Sequence, residues 1–506
     1  MNQQAAKSPE MALAPIPHWI NGSALRPEAG EASGIVYNPA TGRAIRQVGF
    51  ADTGIVRRAV GAAATAFPAW ANTASSRRAQ VLFRYRDLLV QHREELAALV
   101  TEEHGKTLDE SRAEVDRGIQ VVEFAAGIPH LMKSEYLPDV ATQLGSYNIR
   151  QPLGVCLGIT PFNFPAMVPM WMFPVAIAAG NSFILKPSER DPSCAVRLAT
   201  LFEEAGLPTG VFNVVHGARD TVTELIEMPE VAAVSFVGST PVAHAVYRTA
   251  SDAGKRAQCL GGAKNHMVVM PDADLGSACN ALLGAAYGCA GERCMAISVA
   301  VTVGDAGDGL VKKLVERTPT LKVGVGTDAD VTVGPLISQA HLDKVTSYLD
   351  SGVEEGAKLI VDGRTHAGMP GKGFFLGPTV FDFVKPGMQL HRDEIFGPVL
   401  CVIRASNLDE AIAIINAHEY ANGAAIFTSS GAAAERFTRA MDSGMIGVNV
   451  PVPAPAAYFG FGGNKRSLFG PLHIHGTDGV RFYTRMKTVT QRWPETFGGN
   501  GGPSGF

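Results

Sequence analysis

A chain of 506 residues exceeds what one hydrophobic core supports, so two or three domains are expected. Lys and Arg total 44 against 48 Asp and Glu, a near balance that argues against a nucleic-acid surface or a polybasic membrane contact and leaves a small molecule as the expected partner. The seven cysteines are odd in number and scattered from Cys156 to Cys401, which is not a disulfide framework and fits a reducing cytoplasm.

The N-terminal run MNQQAAKSPEMALAPIPHW lacks the apolar core of a signal peptide. Its composition predicts loose order over the first ~16 residues, as does that of the C-terminal PETFGGNGGPSGF. After a short strand-like start, Thr53 to Trp70 and Ser75 to His104 read as helices, the second with Val81, Leu82, Tyr85, Leu88 and Leu89 on one stripe. A third helix is predicted over Leu108 to Met132. Gln151 to Leu185 carries no charged side chain, yet Pro161, Pro165, Pro169 and Pro174, with Asn163 and Asn181, break it as a membrane span. It reads instead as buried core bearing a site.

From Gly154 short apolar runs (GVCLGIT, NSFILK, GVFNVVHG, AAVSFVGS) alternate with helical segments, the pattern of a parallel α/β sheet. A second such block holds KNHMVVM, SVAVTV, GPVLCVI, AAIFTSS and MIGVNV, so two α/β domains are the economical reading, with ligands beyond the carboxyl ends of strands. Val480 to Trp493 alternates apolar and charged positions as an exposed strand would, and an unpaired edge there invites a partner chain. No repeat of fixed period is present.

Within GAAYGCAGERCMAIS, Arg293 adjoins Cys294. A thiol attacks carbon as its thiolate, and a neighbouring positive charge lowers the controlling pKa; the alternative is a small core hydrophobe. The GxGxxG dinucleotide fingerprint is absent. SFVGST instead leads an apolar strand into Gly238, Ser239 and Thr240 and then a helix, where free N–H groups and a hydroxyl meet a phosphate or simply cap the helix. FILKPSERDP places Lys186 and Glu189 beyond a strand, as ribose ligands or as a solvated loop, and Glu394 is equally ambiguous before a strand in HRDEIFGPV. Asn163, inside the charge-free TPFNFP, needs partners; a developing oxyanion is one candidate and a turn role the other. His473 and His475 have no third ligand at metal spacing and no HExxH exists, so no metal is expected. Cys289 and Cys294 are not a CxxC pair, and a GxSxG elbow is absent.

TPFNFP, FILKPSE, SFVGST, LGGAK, GERCMAIS and EIFGPV occur in this order and at approximately the spacing of the aldehyde dehydrogenase superfamily, which the chain resembles over nearly its whole length. The resemblance is closest to the CoA-acylating methylmalonate-semialdehyde dehydrogenase family, through GAKNHMVVMPDAD, GERCMAIS and RFYTRMKTVTQRW. It implies an aldehyde dehydrogenase-like α/β fold with a Rossmann-like NAD-binding domain (1–129 and 151–259), a catalytic domain (260–458) and a small β oligomerisation element. That element comprises a hairpin (130–150) and a return segment with its strand (459–495), before a flexible tail (496–506). By the same resemblance Cys294 is the nucleophile, and the Asn163 amide with the Cys294 N–H forms the oxyanion hole. Thr160, Phe162, Lys186, Glu189, Gly238, Ser239, Glu394 and Phe396 hold NAD, preferred over NADP because Glu189 repels a 2′-phosphate. Arg117 and Arg293 grip the substrate carboxylate, although an ion pair with Glu114 is the competing role for Arg117. CoA is the implied co-substrate, (methyl)malonate semialdehyde the implied substrate, and a cytoplasmic homotetramer or homodimer the implied assembly.

One position departs from the pattern. Most hydrolytic relatives have glutamate four residues before the lysine of LGGK, whereas here that position, counted back from Lys264, is Leu260. Leucine cannot accept a proton, so water attack on a thioester would lose its base, a loss of about 10²–10⁴-fold, and a thiol acceptor is favoured. Glu292 or Glu394 acting as substitute base is the alternative, and it would give a hydrolytic enzyme releasing free acid.

Overall fold

Runs such as Val155–Ile159 and Ser182–Lys186 are buried at every residue, which is why they read as continuous apolar stretches rather than alternating ones. The computed structural model describes residues 13–26 and 32–493. Two large sheets dominate it. The first orders its strands Leu468–Phe469, Arg256–Leu260, Val231–Val237, Val155–Ile159, Ser182–Lys186, Phe212–Val214, His18–Ile20 and Ser23–Leu25. Its five central strands are mutually parallel, and the antiparallel ones lie at the edges. Chain order reverses at Val155–Ile159, which has the next strand on one side and Val231–Val237 on the other. That is a topological switch point, where sheets of this kind open a crevice at their carboxyl ends.

The second sheet runs Lys358–Val361, Thr379–Asp382, Val399–Ala405, Ile297–Val303, Asn265–Val269, Gly423–Phe427 and Met445–Val448, parallel except for its first pair. The helix Met167–Ala178 is buried over all but its first residue and packs against the first sheet, so the uncharged stretch is core as expected. Its Phe173 lies 4.5 Å from Phe212 between ring centroids, and Phe202 stacks on Tyr85 at 4.0 Å. Among the described residues no helix is long and apolar enough to cross a membrane.

Several boundaries differ from the sequence reading. The helix expected over Ser75 to His104 is two, Ser75–Gln91 and Arg93–His104, because His92 (φ −98°, ψ 15°) leaves the helical region. The one expected over Leu108 to Met132 stops at Ala126, and a short turn Ile128–Leu131 follows with Pro129 at its start, where the missing N–H is harmless. Ala14–Ile16, placed by composition in a loose terminus, is a strand pairing with Arg43–Gly49. Residues 1–12 and the run PETFGGNGGPSGF lie outside the described residues.

The strand expected from Val480 begins only at Thr484. Gly476–Phe482 is helical, and the adjacent Phe482 and Tyr483 are both buried, which a half-exposed strand does not permit. Thr484–Gln491 then pairs along its length with Leu144–Pro152, which in turn pairs with Tyr136–Ala141 to make a three-stranded sheet.

Candidate active site

Two cavities flank the segment Phe162-Asn163-Phe164. One, of about 600 Å³, opens at the switch point and is lined by Thr160, Phe162, Lys186, Glu189, Arg190, Arg219, Gly238 and Ser239, among others. The other, of about 390 Å³, is lined by Glu110, Arg117, Phe164, Trp171, Cys289, Arg293, Cys294, Phe461 and His475, among others. Thus six of the eight residues expected at a cofactor share the first cavity. Phe396 reaches its rim by an edge-to-face contact with Phe162, ring centroids 5.8 Å apart. Glu394 lies in the same loop as Phe396, with one carboxylate oxygen accepting the Ala263 N–H at 3.0 Å.

The first cavity offers unused polar groups. The buried Thr160 hydroxyl has no partner among the described residues, and Ser239, at the start of the Thr240–Asp252 helix, makes no capping bond with its side chain. A hydroxyl and free helix N–H groups there suit the oxygens of a phosphate. Lys186 Nζ and Glu189 Oε2 are 3.2 Å apart, a donor and an acceptor at one wall. These residues fit a dinucleotide.

Cys294 is half-buried, whereas the other six cysteines are buried, and all seven are free thiols. Its carbonyl is fixed by two amides, Asn265 Nδ2 at 2.8 Å and Asn422 Nδ2 at 3.1 Å. Burial pushes its thiol up to about 12, the Glu394 carboxylate adds to the rise, and the backbone N–H groups of Cys294 and Met295 oppose it. The Arg293 charge is the smallest of these influences, so the expected thiolate from a neighbouring arginine is not what the fold provides. The reason is orientation. Arg293 turns back to donate from Nε to Cys289 Sγ at 3.2 Å and from Nη2 to Glu110 Oε1 at 2.9 Å.

The turn before Cys294 is left-handed at Cys289 (φ 49°, ψ 39°), Ala290 (φ 52°, ψ 27°) and Gly291 (φ 76°). For the two non-glycine residues this costs about 1–2 kcal/mol each, held by surrounding contacts. Gly291 has a second reason to be glycine, since a Cβ would collide with the Gly397 carbonyl.

Asn163 is buried. Its Nδ2 donates to the Glu292 carbonyl at 3.0 Å, and its own carbonyl accepts from Lys106 Nζ at 2.5 Å. An amide nitrogen has two protons, so one remains after the bond to Glu292. The structure therefore ties Asn163 to the nucleophile segment through Glu292. Glu292 itself lines neither cavity: its carboxyl is fully buried, Oε1 accepts the Ile337 N–H at 3.2 Å, and Oε2 has no hydrogen-bond partner among the described residues. Burial pushes it well above the usual carboxylate range. Burial raises Glu394 to about 7. Leu260 ends the strand Arg256–Leu260 and is buried.

Arg117 is exposed at the second cavity and makes no ion pair or hydrogen bond among the described residues. The alternative pairing with Glu114 does not form, because Glu114 is committed to Lys106 at 2.7 Å. Sequence reading passed over Glu110, Lys106, Asn265 and Asn422. Only Glu110 left a local signal, the Thr107-x-x-Glu110 capping box, and that pattern says nothing about the distant turn it also holds.

The aldehyde dehydrogenase family model matches residues 27–489. A malonate-semialdehyde dehydrogenase of Pseudomonas aeruginosa is 55% identical over 481 residues, which span 94% of this chain and 96% of that protein. A methylmalonate-semialdehyde dehydrogenase structure from Oceanimonas doudoroffii has a TM-score of 0.94 at 52% identity, covering 96% of this chain and 99% of its own. A structure from Sinorhizobium meliloti 1021, ascribed to the same activity and complexed with NAD, has a TM-score of 0.95 at 50% identity, covering 96% of this chain and 100% of its own.

Proposed function

The chain belongs to the aldehyde dehydrogenase family, and we propose that it oxidises malonate or methylmalonate semialdehyde with NAD and passes the acyl group to CoA. The Cys294 thiolate attacks the aldehyde carbon, and the oxyanion that forms accepts hydrogen bonds from the free proton of Asn163 Nδ2 and from the Cys294 N–H. NAD, when bound, supplies the hydride acceptor that converts the hemithioacetal to a thioester. Thr160, Phe162, Lys186, Glu189, Gly238 and Ser239 would hold it, with Glu394 and Phe396 toward the nicotinamide. The NAD-bound neighbour supports this cofactor, and the Glu189 carboxylate at the cavity wall disfavours a 2′-phosphate. In the second half-reaction the CoA thiolate attacks the acyl carbon and the Cys294 sulfur leaves. Loss of the substrate carboxylate as CO₂, with a proton from solvent taken up at the α-carbon, gives acetyl-CoA or propionyl-CoA.

Leu260 carries the choice of acceptor. A buried leucine offers water no base, and the carboxyl of Glu292, fully buried, bonded to the Ile337 N–H and lining neither cavity, is badly placed to replace one. A second reading, hydrolysis with Glu394 as base, is favoured by its shift to about 7 and by its charge acting on Cys294. NADH formation from both semialdehydes with and without CoA, with the acyl product identified, separates the two. Without CoA turnover should fall at least about tenfold, and an acyl-CoA should account for the NADH when CoA is present. Undiminished turnover with release of free acid overturns the proposal.

Arg117, exposed at the second cavity and without a polar partner among the described residues, is the better-placed half of the carboxylate clamp. Arg117→Ala should raise KM for malonate semialdehyde about 10–100-fold, the worth of a charged hydrogen-bonded pair, while KM for propanal stays within about twofold. Equal effects on both substrates would remove the clamp. The exposed Tyr136, Leu137, Val140, Ile149 and Met486 on the three-stranded sheet support its use between subunits of a homodimer or homotetramer. Segments 1–129 and 151–259 serve the cofactor and 260–458 the chemistry in this reading.

A further inference from the structure

We propose that Glu110, a residue outside the sequence motifs, is a positioning residue that locks the turn presenting the nucleophile; this rests on the reading of Cys294 above. A capping-box glutamate ordinarily closes its own helix, and here Glu110 Oε2 does accept the Thr107 N–H at 3.1 Å at the start of Leu108–Ala126. Its other oxygen does something a cap does not require. Oε1 accepts the Cys289 N–H at 2.7 Å and an Arg293 N–H at 2.9 Å, joining that helix to a turn 179 residues away. Both charged side chains are largely shielded, at 17% exposure for Glu110 and 23% for Arg293. The bond to Cys289 satisfies a buried N–H in a left-handed turn that water could not readily reach. Arg293 then spans the same turn, bonding the Gly284 carbonyl at 3.3 Å and the Cys289 sulfur at 3.2 Å. With the carbonyl of Cys294 gripped from the other side by Asn265 and Asn422, the position of Sγ is set from both ends. Glu110 also occupies part of the Arg293 fork at the wall of the substrate cavity, so it limits how firmly that arginine takes a second carboxylate.

Three variants test this. Glu110→Ala should lower kcat about 10–100-fold for malonate semialdehyde and propanal alike, with slower iodoacetamide alkylation of Cys294. Glu110→Gln keeps an oxygen for the Cys289 N–H but removes the negative charge that competes for Arg293, so kcat should hold within about threefold while KM for malonate semialdehyde falls and that for propanal does not. Thr107→Ala removes the helix cap without touching the turn, and should lower Tm with kcat unchanged. A kcat for Glu110→Ala within about twofold of wild type, an equal kcat loss in Thr107→Ala, or a Glu110→Gln KM that is unchanged or moves equally for both substrates, overturns the proposal. Failure of the underlying reading looks different: alkylating Cys294 would then leave the wild-type enzyme active.

Discussion

Cys294→Ala brings NADH formation at least about 10⁴-fold below wild type, because the thioacyl route has no other sulfur to use. The remaining thiols are buried, and the one that shares the cavity, Cys289, has its sulfur engaged by Arg293 Nε. Alkylation of the wild-type enzyme should therefore appear on the Cys294 peptide by mass spectrometry and track the loss of activity. The pH dependence follows from the direction of the shift. A thiol raised to about 12 is almost wholly protonated at neutral pH, and its thiolate fraction grows about tenfold for each pH unit below that value. Alkylation of the free enzyme should climb steadily from pH 7 to 9; a plateau below pH 8 would mean a thiolate already formed. Activity retained in Cys294→Ala would place the chemistry on another group.

The sheets were legible because parallel strands covered on both faces leave unbroken apolar runs, and the uncharged stretch around TPFNFP was legible because four prolines and the amides of Asn163 and Asn181 make no sense in a membrane helix. That Leu260 stands where the resembling hydrolytic families have glutamate is read by counting back from Lys264. What Arg293 does was not legible. Adjacency in sequence suggested that its charge serves Cys294, whereas its guanidinium pairs with Glu110, 183 residues away in the chain. Contacts of that separation leave no periodicity or composition in one sequence. The helix at Gly476–Phe482 was missed for a related reason: it packs against Met167–Ala178 with Val480 and Phe482 buried, and that tertiary burial overrides the local alternation.

Lys106→Met is the substitution outside the nucleophile with the largest expected effect, about 3–5 kcal/mol of lost stability. Lys106 is fully buried and donates to Glu114 Oε2 at 2.7 Å and to the Asn163 carbonyl at 2.5 Å, with its ammonium 4.1 Å from the Phe164 ring centre. Burial, the largest influence, lowers its pKa, yet the charge and hydrogen bond of Glu114 together with Cys289 and the Glu110 carboxylate outweigh it, and the net direction is upward. Removing it strands a buried carboxylate that is also held by the Ala166 and Met167 N–H groups. The diagnostic is the double variant Lys106→Met/Glu114→Gln. A glutamine oxygen still accepts those two N–H groups and carries no charge, so the second change should restore more than half of the lost stability, whereas Glu114→Gln alone should be destabilising. Urea denaturation of the three variants checks this, and a Lys106→Met protein within about 1 kcal/mol of wild type would show that the pair contributes no more than a surface ion pair does. Because Lys106 holds the peptide carbonyl of Asn163, the double variant should remain below wild type in kcat even where its stability returns, which separates fixing the oxyanion loop from holding the fold.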